Sequence, residues 1–184
     1  MFNFEFEGWE SVPHRFRGLE DKFGINGKAQ ECKNKNLYLY GQTGAGKTVM
    51  AVFVMRILLR ESNTEGNKNI CKFISYPEFV FTMQSNFENA ELWIKKISLY
   101  RGCLILDDFG GERLTDFARL VSYLIINHRE QYNLQTIITS NYTLNEIDIM
   151  IDRRISSRIA GMCGKEGIIE LSGDKRLIHT GNQS

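Results

Sequence analysis

Residues 41–48, GQTGAGKT, follow the apolar run Leu37–Tyr40 and lead into the apolar stretch 49–59. The spacing G-x-x-x-x-G-K-T demands a strand, a tight glycine turn and a helix in direct succession. Only that order turns consecutive backbone N–H groups inward around a phosphate. Gly41, Gly44 and Gly46 let the chain curl, Lys47 brings a positive charge to β- and γ-phosphates, and the Thr48 hydroxyl is placed to ligate Mg²⁺. Gln42, Thr43, Ala45 and Val49 fill out the nucleotide-binding segment, and the helix that begins here aims its positive dipole end at the ligand. The expected ligands are ATP and Mg.

Periodicity extends this start into an alternating chain. After the strand Leu37–Tyr40 and a helix over about 47–60, residues 61–69 read as a polar loop and 70–75 (ICKFIS) as a second strand. A helical region over 77–100 is broken near 85–89, and 103–106 is a fully apolar strand. A helix over 116–130 has Thr115 as its N-cap and places Phe117, Leu120, Val121, Leu124 and His128 on one face. Thr136–Ser140 is a fourth strand, 147–159 holds a short helix and an arginine-bearing segment, and 167–171 adds a last strand. Apolar strands alternating with helices imply an α/β fold, a parallel five-stranded sheet covered on both faces, with ligand loops at the carboxyl ends of its strands.

Two further strings bear on nucleotide chemistry. CLILDDFG ends a strand in two carboxylates: Asp107 is placed to hold the water shell of Mg²⁺, and Asp108 stands where many related ATPases carry a glutamate that polarises the attacking water. Asn141, at the end of the neighbouring strand, can hydrogen-bond a γ-phosphate or position the water, although T-S-N alone would also begin a turn. Arg154 and Arg158 lie four apart in IDRRISSRIAG and share one helix face. Exposed arginines usually form a solvated face, but from this place they could also reach the nucleotide of a neighbouring subunit.

The strings NLYLYGQTGAGKT, CLILDDFGGERLTDFA, TIITSNYTLNEI and RRISSRI together resemble the AAA+ ATPases of the DnaC/DnaI helicase-loader and IstB transposition-helper family. The resemblance runs from about residue 12 to 176 and includes SVPHRF upstream and LSGDKR downstream. It implies a P-loop NTPase of the AAA+/ASCE type, a three-layer sandwich that hydrolyses ATP. In that likeness Asp107 holds the Mg²⁺ water, Asp108 activates the attacking water, Asn141 is the first sensor, and Arg158 is the arginine finger with Arg154 beside it. The implied role is loading a replicative helicase onto single-stranded DNA, as a homo-oligomer with shared ATP sites. An IstB-like transposition helper and a partner-binding switch with little turnover are the alternatives. Residues 1–36 form an expected N-terminal extension and 37–184 the ATPase core, with no evident lid domain and Arg176 as a candidate second sensor.

Composition adds limits rather than direction. A net charge of +1 supplies no bulk field for nucleic acid, so any DNA contact must be local. Lys95, Lys96 and Arg101, interleaved with Phe87, Trp93 and Tyr100, are the candidate patch, with packing as the simpler reading. Cys32, Cys71, Cys103 and Cys163 lack metal-ligand spacing and are expected as reduced thiols. No basic-then-apolar leader opens the chain and no apolar run is long enough to span a bilayer, so the expected location is cytoplasmic, without a membrane partner.

Overall fold

Strand residues separate by parity. In the computed structural model, which describes residues 26–65, 71–112 and 114–173, five strands form one parallel sheet in the order β2-β3-β4-β1-β5. They are β1 (Leu37–Tyr40), β2 (Cys71–Ser75), β3 (Cys103–Asp107), β4 (Thr136–Ser140) and β5 (Ile168–Glu170). Leu37, Leu39, Phe73, Cys103, Ile105 and Ile137 face one layer; Tyr38, Ile74, Leu104, Leu106 and Ile138 face the other. A side-chain period of two thus sends each apolar strand into two cores at once, which is why these strands carry no polar face.

Helices α1 (Asn26–Cys32) and α2 (Lys47–Glu65) cover the first face. The second is covered by α3 (Tyr76–Ser85), α4 (Phe87–Ser98), α5 (Asp116–Gln131), α6 (Leu144–Met150) and α7 (Arg153–Gly167). The architecture is the expected α/β three-layer sandwich. Helix α1 falls in the stretch read as an extension, yet it buries Ala29 and Cys32 against α2. Among the described residues no helix is long and apolar enough to cross a membrane. SVPHRF and Arg176 lie outside the described residues.

Two sequence expectations shift. Helix α2 continues to Glu65, past the expected end at residue 60, and an ion pair from Lys33 holds Glu61 near the end of α1. Arg60 and Glu61 are exposed there, so polar residues suffice. In α5 the buried side consists of Ala118, Val121, Ser122, Ile125, Ile126 and Arg129, whereas Leu120 is 54% exposed. Two polar residues turn the helix away from the phase that hydrophobic counting suggests. Ser122 Oγ lies 2.8 Å from the Tyr76 hydroxyl and donates to the Ala118 carbonyl at 2.9 Å.

Arg129 is fully buried. Its guanidinium donates to Thr136 Oγ1 at 2.7 Å and to the carbonyls of Tyr100 at 3.0 Å, Gly102 at 3.2 Å, and Gln135. It therefore joins the C-terminal end of α4 to the starts of β3 and β4, where unsatisfied helix carbonyls favour a cation. Burial lowers its pKa to about 10, which still leaves it charged at neutral pH.

Candidate nucleotide site

The phosphate loop occupies the carboxyl end of β1, between the central strand β4 and the edge strand β5. Gly41, Gly44 and Gly46 all have positive φ, at 141°, 89° and 90°. At Gly41 a Cβ would sit 2.0 Å from the Leu171 carbonyl oxygen, so a side chain is excluded by backbone as well as by conformation. Leu171 belongs to the LSGDKR string, and its N–H donates to the Tyr40 carbonyl at 2.8 Å. Leu171 thus closes against the first glycine of the loop.

Lys47 is 8% exposed, and its ammonium donates to the carbonyls of Gly41 at 2.8 Å and Gln42 at 2.9 Å and to Asn141 Oδ1 at 2.8 Å. The other branch of the Asn141 amide donates to Asp108 Oδ1 at 3.1 Å. Asparagine therefore links the loop cation to the second acid. On the other side of the cluster, Thr48 Oγ1 donates to Asp107 Oδ1 at 2.8 Å, and Thr139 Oγ1 donates to the same oxygen at 2.7 Å. Burial raises the Asp107 pKa, while the hydroxyls of Thr139 and Thr48 and the charge of Lys47 oppose the rise.

The structure thus brings together Lys47, Thr48, Asp107, Asp108 and Asn141, five residues drawn from the strings following β1, β3 and β4. Thr139 completes the set and was not singled out by the sequence. It also accepts a hydrogen bond from the Asp108 N–H at 2.9 Å, so one hydroxyl orients both acids. The signal was present: Thr139 lies near the end of β4, two residues before Asn141.

The donor set suits Mg²⁺. It offers one hydroxyl and one carboxylate within hydrogen-bond reach of each other, and the ion would complete its shell with phosphate oxygens and water. Among the described residues there is no cluster of three or more His, Cys, Asp or Glu that could act as a self-sufficient metal cage.

The arginines lie elsewhere. Arg154 pairs with Asp152 at 2.7 Å, Arg158 pairs with Glu130, and both guanidinium groups cover the Tyr123 ring, at 4.8 and 5.7 Å from its centroid. Their hydrogen bonds run to acids on α5 and at the start of α7, away from the phosphate loop. In the candidate DNA patch, Lys96 lies 4.6 Å over Trp93 and Lys72 lies 5.0 Å over Tyr100. Phe87 packs on Phe117 with centroids 5.4 Å apart. The rings are engaged within the chain. Cys71 and Cys103 are register partners on adjacent strands, and Cys32, Cys71, Cys103 and Cys163 are all free thiols.

No protein-family model matches the chain. The replicative helicase loader DnaI of Bacillus subtilis (strain 168) is 32% identical over 119 residues, covering 62% of this chain and 36% of that protein. The chain thus spans little more than a third of the length of that curated relative. Among solved structures, the DnaC helicase loader superposes with a TM-score of 0.63 at 23% identity, over 81% of this chain and 86% of that one. The crystal structure of DnaI gives 0.63 at 24%, over 85% and 82%. The chain is similar to the DnaI and DnaC helicase loaders and shares their fold. The same fold also superposes on the replication initiator DnaA bound to AMPPCP and single-stranded DNA, with a TM-score of 0.64 at 17% identity, over 89% of this chain and 51% of that one. The Lys47, Thr48 and Asp107 cluster sits at the strand ends of this shared fold.

Proposed function

We propose that the chain is the ATP-driven core of a replicative helicase loader, which couples ATP binding and hydrolysis to assembly on single-stranded DNA. The observation that carries this is the continuous hydrogen-bonded path Lys47–Asn141–Asp108 beside Thr48–Asp107–Thr139, in a chain similar to DnaI. Residues 41–49 wrap the phosphates, with Lys47 exchanging carbonyl partners for β- and γ-phosphate oxygens. A water held near Asp108 and Asn141 attacks the γ-phosphorus as the bond to the bridging oxygen breaks. ADP leaves, and Asp108 accepts the water's proton. Mg²⁺, held by Thr48 and through water by Asp107, would neutralise charge on the phosphates. Arg158, with Arg154 beside it, would act on the site of a neighbouring subunit in a homo-oligomer, and residues 37–184 would form the core that assembles.

ATP turnover of the chain alone, with single-stranded DNA, with duplex DNA and with a replicative helicase tests this reading, with light scattering recording mass. Stimulation by single strands together with assembly supports it. Duplex-dependent filaments would favour a transposition helper instead. The in-chain pairing of Arg154 and Arg158 favours a second reading, a switch that turns over slowly until a partner frees them. Under that reading Asp108→Asn would trap a partner complex with ATP bound.

A further inference from the structure

Glu112 is a carboxyl where burial is costly. It is 7% exposed, one oxygen accepts from the Gly110 N–H at 2.8 Å, and the other is buried with no hydrogen-bond partner among the described residues. An acid half-satisfied in this way destabilises a fold unless it serves something local.

What surrounds it is the turn that carries Asp108. Asp108 has φ 60°, in the left-handed region that few non-glycine residues adopt, and its carbonyl accepts from the Gly111 N–H at 3.0 Å. Phe109 anchors the turn in the core, with its ring 4.8 Å from Tyr76, and its carbonyl accepts from Ser140 Oγ at 2.7 Å. Glu112 fixes the far end through Gly110. Gly111 then packs under the acid: a Cβ there would lie 2.8 Å from Asp108 Oδ2 and 3.0 Å from its Cγ. The Asp108 carboxylate is therefore set by a closed turn, with Asn141 above it and Gly111 below.

We propose that Glu112 is a positioning residue for Asp108, its buried carboxyl closing the 108–112 turn so that the Asp108 carboxylate stays against Asn141. This rests on the reading of the site as one for ATP hydrolysis. Glu112 touches no substrate; it acts through the turn. Glutamine can replace it, because it keeps the shape of the side chain and the acceptor for the Gly110 N–H. Leucine fills the volume but leaves the Gly110 N–H without its partner.

The test compares kcat, KM for ATP and melting temperature in the full chain for Glu112→Leu, Glu112→Gln and Gly111→Ala, under conditions in which the wild-type chain turns over. Glu112→Leu and Gly111→Ala should lower kcat on the order of ten- to a hundredfold, with KM within about threefold of wild type. Glu112→Gln should restore kcat. Gly111→Ala reaches Asp108 without touching Glu112, so it reports independently whether turnover depends on how the Asp108 carboxylate is set. Glu112→Gln carries the answer for Glu112 if the leucine variant does not fold. Unchanged kcat in Gly111→Ala and in folded Glu112→Leu, or failure of Gln to rescue, would overturn the positioning role alone. Absence of turnover in the wild-type chain under every condition would overturn the hydrolysis reading as well.

Discussion

The carboxyl end of the sheet and the arginine face of α7 are both rich in charge, but they treat it in opposite ways. At the sheet, Lys47 is buried and donates within one continuous hydrogen-bonded set that includes Asn141 and both acids. On α7, the Arg154 side chain is 68% exposed, and Arg158 shares a part-exposed pair with Glu130. Fixed geometry makes the first set demanding: Lys47 is buried and Asp107 half-buried with their partners dictated by the fold, while Asp108 and Asn141 stand at its exposed edge. Solvent screening makes the second set replaceable, so its arginines can leave their acids for a stronger anion at modest cost. Under the proposed function, one region would hold a ligand and the other would be offered to one.

Lys47→Ala breaks the first region most severely. It removes the loop cation and leaves the carbonyls of Gly41 and Gln42 and the Asn141 amide without their donor. Titration with a fluorescent ATP analogue should detect no binding, a loss of more than about a thousandfold. Near-normal affinity would mean that the phosphates do not sit over this loop.

Arg158→Ala should leave nucleotide affinity unchanged and lower turnover on the order of a thousandfold, because a finger acts on charge that develops in the transition state. Mixing Arg158→Ala with Asp108→Asn subunits should restore part of the activity, since the two lesions then fall on opposite sides of a shared site. Normal turnover of Arg158→Ala alone, or no rescue at any ratio, would make the α7 face a solvated surface.

These two experiments also divide what the sequence could reveal from what it could not. Lys47, Thr48, Asp107, Asp108 and Asn141 were legible because each is tied to a strand end by a short local string, and parallel strands bring such ends together. Thr139 was hidden because a threonine inside TIITS reads as an ordinary β-former. Arg129 and Glu112 were missed for a shared reason: pattern reading sends charge to the surface, whereas both are buried against partners distant in sequence or held by a turn. The pairing of Arg158 with Glu130 was equally unreadable, since it spans 28 residues and two helices.

Arg129 supplies the control for the α7 arginines. Arg129→Met should cost about 3 kcal/mol or more in urea unfolding, because several buried carbonyls lose their donor together. Glu112 gives a pH signature of the same kind. Burial raises its pKa from 4.5 to about 7, with the Gly110 N–H opposing the rise and the charge of Asp108 adding to it. The folded state therefore holds this proton more tightly than the unfolded chain. Its contribution is fully present below 4.5 and is lost as pH rises through about 7, a change of up to about 3 kcal/mol. Urea midpoints at pH 5 and pH 8 should show that fall in the wild-type chain and a smaller one in Glu112→Gln. Equal slopes would mean that the carboxyl titrates normally.

Glu130→Gln is the mildest change and the sharpest test of the contrast. The two partners are 32% and 33% exposed, so the ion pair should contribute less than about 1 kcal/mol to folding. The variant should melt within a few degrees of wild type and bind nucleotide equally well. Under the finger reading its turnover in assembled samples should be equal or higher, because Arg158 no longer has to leave a charged partner. A loss of stability comparable to that of Arg129→Met would give the opposite answer. Arg158 would then be a structural staple belonging with Arg129, and the boundary between the holding region and the offered one would have to be drawn further out, at Arg154.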